Sequence, residues 1–202
     1  MKHLRPALVM LLGITLLTGV AYPLLVTGIA QLAFPAQANG SLILRRGKPV
    51  GSRLIGQNFT GAGYFHGRPS ATTATLANGK TVDAPYNADN SGGSNLGPTS
   101  RALRERVAAS VMKLQAQNPG HPIPIDLVTT SGSGLDPDIS PAAALFQIPR
   151  VAAARHLAPA TLRHLVERQV VGRTLGLLGA PHVNVLELNL ALDQLARKSG
   201  GS

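Results

Sequence analysis

The chain has 202 residues, no cysteine, no tryptophan and a formal charge of +10 at pH 7. Without cysteine there are no disulfides and no thiolate metal sites, whichever compartment holds the chain. Three tyrosines and four phenylalanines give little for base stacking and no zinc-finger spacing occurs, so the positive charge does not argue for nucleic acid.

After Lys2, His3 and Arg5 nothing is charged until Arg45, and the stretch from Ala7 to Phe34 is mostly apolar. A helix crosses a bilayer with roughly 20 such residues. A secretory signal peptide is the rival, because Ala36-Gln37-Ala38 resembles a small-x-small cleavage site. Its apolar region normally runs only about 7 to 15 residues, so a retained anchor is expected. Thr15, Gly19, Pro23, Thr27 and Gln31 recur every four residues along it. Small residues let helices approach and polar ones bond across them, so the stripe is read as partner-facing. In the other reading the helix stands alone in lipid and Gln31 reaches the headgroups. Charge does not orient the span: Lys2 and Arg5 precede it, Arg45, Arg46, Lys48 and Arg53 follow it, and long domains translocate regardless of such counts.

Residues 1–34 are thus a tail and transmembrane helix, 35–49 a juxtamembrane linker, and 50–198 one soluble domain large enough for a core. Beyond residue 34 the chain carries 17 basic and 9 acidic side chains, a balance of +8 that suits anionic lipid or an acidic partner. The charges are dispersed, as in Arg101, Arg104 and Arg106 or Arg163, Arg168 and Arg173, which is the look of a solvated face.

Within the domain, residues 54–59 and 63–69 are short apolar or aromatic pieces broken by glycine, read as turns and brief strands. Residues 71–90 read as a surface excursion. Thr99 or Ser100 caps a helix with Leu103, Val107, Val111 and Leu114 on one stripe. Residues 123–129 suit a strand. Ser140-Pro141 is a strong helix start, since serine accepts from first-turn amides and proline loses no bond there. Helix is expected over 142–147, a break at Ile148-Pro149, and a second helix over 151–157. Residues 159–178 read as a helix stopped by Gly179. Residues 183–195 begin strand-like and end as a helix bearing Leu188, Leu192 and Leu195. The sum is an α+β domain behind a single N-terminal transmembrane helix.

Two loops carry the chemistry. Ser131, Gly132, Ser133 and Gly134, followed by Asp136, can turn amides and hydroxyls toward one point as an anion nest, or can be a tight connection whose glycines serve only the backbone. Ser91, Gly92, Gly93, Ser94 and Asn95 echo them. Packed together the two loops form one polar site; apart, each is a helix-entry turn. Gln147, Arg150 and Arg155 follow on the next helical face. Asp136 and Asp138 are the only close carboxylates, which makes an acid/base dyad improbable. There is no His-x-x-x-His spacing and no metal site is expected; Walker A, Gly-x-Ser-x-Gly and Asp-Lys-Thr-Gly-Thr sequences are also absent. A secreted hydrolase using Ser131 or Ser133 with a distant histidine stays open as a reading from another class.

The ordered set of a single span, Leu54-Ile55-Gly56-Gln57, Tyr64 to Ala71, Ser91 to Gly97, Ser131 to Arg155 and Val183 to Asn189 resembles the C subunits of the bacterial high-affinity potassium pump, the Kdp complex. Residues 72–84 are the poorest match and nothing is carried to them. The resemblance implies a non-catalytic subunit beside a channel-like A subunit, a P-type ATPase B subunit and a small F subunit, in the cytoplasmic (inner) membrane. It implies no tightly bound cofactor, and ATP at most shared with the ATPase subunit. Two roles follow from it. One is a cap on the outer, periplasmic side that assembles and stabilises the complex, with Gln147, Arg150 and Arg155 as anchors to an acidic partner surface or to Asp136, and Thr15, Gly19, Pro23 and Thr27 packing in the membrane. The other is a catalytic chaperone raising ATP affinity, with Ser131 to Gly134 and Asp136 as the anion loop.

Overall fold

A computed structural model describes residues 2–199, in two compact units that divide between Ser52 and Arg53. In the first, one helix runs over Leu4–Ala33, long and apolar enough to cross a membrane. It comprises α1 (Leu4–Leu16), a π turn (Leu17–Ala21) and α2 (Tyr22–Ala33). The π turn has a cause in Pro23, which cannot donate to the carbonyl of Gly19. Instead the amide of Tyr22 reaches back five residues to Leu17. Thr18 Oγ1 adds a bond to the carbonyl of Ile14 at 2.8 Å. The extra residue in this turn counters the drift of a four-residue stripe round an α-helix.

The segment read as linker contains ordered elements. A short helix, α3 (Pro35–Ala38), is followed by Asn39, whose Nδ2 donates to the carbonyl of Pro35 at 2.7 Å and to Gln31 Oε1 at 3.0 Å. Strands β1 (Leu42–Arg45) and β2 (Lys48–Ser52) then pair antiparallel around Arg46-Gly47, both at positive φ, as a tight hairpin turn requires.

The second unit is α+β, with its core among three C-terminal helices. These are α5 (Pro141–Arg155), α6 (Pro159–Arg168) and α7 (Val185–Ser199). Ala143, Val151, Leu162, Val166, Leu188 and Leu192 pack there with Phe65, all of them fully buried. Among the described residues its strands come only in pairs: β3 (Thr73–Thr75) with β4 (Thr81–Asp83), and β5 (Asp138–Ile139) with β6 (Val183–Asn184). Helix α4 (Arg101–Gln117) is capped by Ser100, whose side chain accepts from the amide of Leu103. Its expected stripe of Leu103, Val107, Val111 and Leu114 is half-buried.

Several sequence expectations are corrected. The Ser140 cap and Pro141 start hold, with Ser140 Oγ accepting from the amide of Ala143, but no break follows at Ile148-Pro149. Pro149 lies on the exposed face, while Ile148, Val151 and Ala152 on the other face are buried, so burial carries the helix through the one missing bond. It ends at His156, which is left-handed at φ 54°. Residues 123–129 form a 3-10 turn, Ile125–Leu127, instead of a strand. Pro122 and Pro124 remove ladder donors there, and Asp126 turns inward to accept from Ser140 N at 2.7 Å and Ser140 Oγ at 3.1 Å. Helix α6 stops at Arg168, and residues 171–182 fold as a hairpin turning at Leu175-Gly176. Apart from a single bridge position at Ile55, residues 54–59 and 63–69 form no strand among the described residues. The supposed excursion at 71–90 returns on itself, with Thr72 buried and its Oγ1 donating to the carbonyl of Ala84 at 2.6 Å.

Candidate functional site

The two glycine-serine loops pack against each other. Gly92 N and Ser91 Oγ both donate to the carbonyl of Ser133, at 2.9 and 3.0 Å, and Ser94 Oγ lies 3.3 Å from Thr130 Oγ1. The contact is close enough to need glycine. A Cβ on Gly93 would sit 2.9 Å from the carbonyl oxygen of Gly132, and one on Gly134 would meet Thr72 Cγ2 and the carbonyl of Gly92. Gly134 also has φ +68°, where only glycine is unstrained. Its carbonyl accepts from Ser70 Oγ at 2.8 Å, while Ser133 Oγ accepts from the amide of Leu135. Ser131 is buried, and Gly132, Ser133 and Asn95 are exposed.

Arg68 ties this pair to the rest. Its guanidinium donates to Asp136 Oδ2 at 3.0 Å and reaches Thr129 Oγ1 and the Thr130 carbonyl, leaving a buried Nε with no acceptor. Its own carbonyl accepts from Tyr86 Oη at 2.7 Å. Burial, reinforced by the Asp136 charge, pushes the Tyr86 phenol up to about 12, so the proton stays on the donor. Asp136 Oδ1 accepts from the amide of Asp138. Burial raises the pKa of Asp138 against the opposing pull of His182 and Asn184.

Beside this knot a cleft of about 400 Å³ opens between α4 and the 58–70 segment. Its lining includes His66, Arg68, Tyr86, Ser110, Lys113 and Gln147. His66 Nε2 lies 3.0 Å from the Gly61 carbonyl, and its pKa is lowered chiefly by burial, then by Arg150 and Lys113. The cleft therefore offers cations beside a neutral imidazole. Among the described residues there is no cluster of His, Asp and Glu able to hold a metal ion. Among the described residues no histidine ring bonds to Ser131 or Ser133; the rings of His66, His121 and His182 meet backbone carbonyls instead.

The proposed anchors face inward. Gln147 is buried with every amide atom engaged: Oε1 accepts from His66 N at 2.8 Å and from Arg150 at 2.7 Å, and Nε2 donates to the His66 and Ala143 carbonyls. Arg150 donates to the carbonyls of Ala62 and Tyr64 at 2.6 and 3.0 Å. Arg155 holds the Gly63 carbonyl and Asp193 Oδ1 at 2.8 and 2.9 Å, stacked 4.4 Å over the Tyr64 ring. Asp136 is taken by Arg68 and not by either of these arginines. Thr15, Gly19, Pro23 and Thr27 are all exposed on the apolar helix, with Gly19 packed toward Thr15.

Sequence reasoning missed Arg68, Tyr86 and Asn189. Asn189 gave a signal, a lone amide on the apolar face of Val185, Leu188 and Leu192. Arg68 and Tyr86 gave none, because their meeting depends on the fold of residues 71–90.

One apolar helix long enough to cross a bilayer, followed by an α+β domain whose polar loops close on each other, is the build of a membrane-associated subunit. Residues 4–194 match the family model described as KdpC, the c chain of K+-transporting ATPase. The chain is 68% identical over 201 residues to a protein of Methylobacterium nodulans named potassium-transporting ATPase KdpC subunit, covering 98% of this chain and 100% of the relative. Proteins of the same name from Methylorubrum extorquens and Bradyrhizobium diazoefficiens are 64% and 62% identical over 200 residues, again covering 98% of this chain and 100% of each relative. The chain belongs to the KdpC family.

Proposed function

We propose that this chain is the non-catalytic accessory subunit of an ATP-driven potassium import complex, assembling and stabilising a channel-like subunit and a P-type ATPase subunit, with a small fourth subunit beside them. Leu4–Ala33 crosses the cytoplasmic membrane once and the domain lies on its outer face. The observation that carries this reading is the closure of the two glycine-serine loops on each other: the amide of Gly92 and the hydroxyls of Ser70 and Ser91 are spent on carbonyls of the facing loop. Loops so engaged hold a shape for a protein surface, and three donors that a phosphate could have used are committed to carbonyls.

A second reading, a catalytic chaperone that raises ATP affinity of the ATPase subunit, is favoured by one feature, the cleft at Lys113, His66 and Arg68 with its buried unpartnered Arg68 Nε. Protease accessibility of the domain in intact spheroplasts separates the two. Cleavage without breaking the membrane supports the outer cap; protection until the membrane is broken puts the cleft on the side of ATP and overturns it.

A further inference from the structure

The hairpin of residues 171–182 ends in the most exposed leucines of the domain. Leu175, Leu177 and Leu178 are 87%, 78% and 65% exposed. Val171 and His182 exchange both backbone bonds, at 2.9 and 3.1 Å, and Thr174 and Leu178 do the same at 2.9 and 3.0 Å, so the tip is held out on a paired stem. Leu175 and Gly176 both have positive φ, 54° and 74°. That turn favours Asn or Asp before Gly, and a leucine there is strained while gaining no burial in the domain. Strain kept at an exposed apolar tip points to something the tip meets.

No acidic residue lies between Glu167 and Glu187, a stretch that carries Arg168 and Arg173. Neither arginine makes an ion pair among the described residues. Leucines in front and unpaired cations behind suit the boundary between acyl chains and anionic headgroups. A protein pocket more often takes aromatic or arginine anchors with satisfied polar partners, and this tip offers only leucine, glycine and one threonine. The same chain carries a helix able to span a bilayer, which keeps lipid at high effective concentration.

We infer that the 171–182 hairpin is a lipid-inserting tip, placing Leu175, Leu177 and Leu178 among the acyl chains of an anionic membrane surface with Arg173 at the headgroups. The inference goes beyond the accessory role and needs only that Leu4–Ala33 lie in the bilayer.

The absence of tryptophan supplies the test. The full chain carrying Leu177→Trp is reconstituted into vesicles of phosphatidylcholine and phosphatidylglycerol in equal parts, with and without brominated acyl chains. Met112→Trp, at a position 66% exposed on α4, is the solvent control, and Leu178→Trp is a second reporter. The expected result is blue-shifted emission, quenched by brominated lipid severalfold more than the control. Adding Leu175→Asn, a residue at ease at positive φ, should leave the thermal midpoint unchanged or raised. It should also move the inserted-to-free ratio about tenfold toward free. Emission at both tip positions as red and as unquenched as the control overturns the inference. A blue shift that appears only with the partner subunits, without quenching by brominated lipid, overturns it in favour of protein docking.

Discussion

Asn189 on α7 clasps the backbone of Phe65 from both sides: Oδ1 accepts from the Phe65 amide at 2.8 Å and Nδ2 donates to its carbonyl at 2.9 Å, with both residues essentially buried. The side chain acts as a one-residue strand partner for a segment that has none. Asn189→Leu, of similar size, would strand a buried donor and a buried acceptor. At about 1 to 3 kcal/mol for each orphaned group, the expected loss is about 2 to 6 kcal/mol, read by denaturant unfolding.

The glycines of the loop pair separate by position. Gly134→Ala meets Thr72, the Gly92 carbonyl and a left-handed φ together, and should cost at least about 2 kcal/mol. Gly132→Ala has open space at its Cβ and should fall within about 0.5 kcal/mol of the parent. Equal effects in thermal unfolding would refute the packed-loop account.

Pro149 breaks the bond pattern of α5 on its exposed face. Pro149→Ala restores one helical bond and removes a ring clash, for an expected gain of about 1 to 3 kcal/mol. A shift of Tm downward would mean that the ring has a packing role.

Burial holds the folded pKa of His66 below its ordinary 6.5. The unfolded chain therefore binds more protons between those two values, so stability rises with pH across that window and is lost on acidification below about 6.5. Asp138 works oppositely: its raised folded pKa means stability falls as pH climbs from 3.8 through the raised value. His66→Gln should flatten the dependence of Tm on pH just below 6.5, where the folded and unfolded chains differ in proton uptake at this ring.

Arg155 combines a carbonyl, a carboxylate and a ring face in one planar group. Arg155→Lys keeps the charge and loses the geometry, with an expected cost of about 1 to 2 kcal/mol in denaturant unfolding.

The helices were legible because their signals are local: the Ser100 and Ser140 caps, the stripe of α4, and the leucines of α7. What misled was also local. Pro149 and the run from Val170 to Leu178 were read by propensity. In the fold, burial of Val151 and Ala152 overrode the proline, and the lack of burial at Leu175 to Leu178 left no reason for a helix to continue. The loop pair was legible as an echo of composition. Its closure by Arg68, Ser70 and Tyr86 was not, since those bonds join positions 18 to 68 residues apart in sequence.

Residues 56–70 take their order from Gln147, Arg150, Arg155 and Asn189, which are made much later. During synthesis this stretch leaves the ribosome without any of its partners and must wait as unpaired backbone. The domain closes when α7 arrives, so a stalled or clipped chain lacking Asn189 exposes Phe65 and its neighbours at once. The order of a segment near the beginning of the domain is thus set only once its last helix is in place.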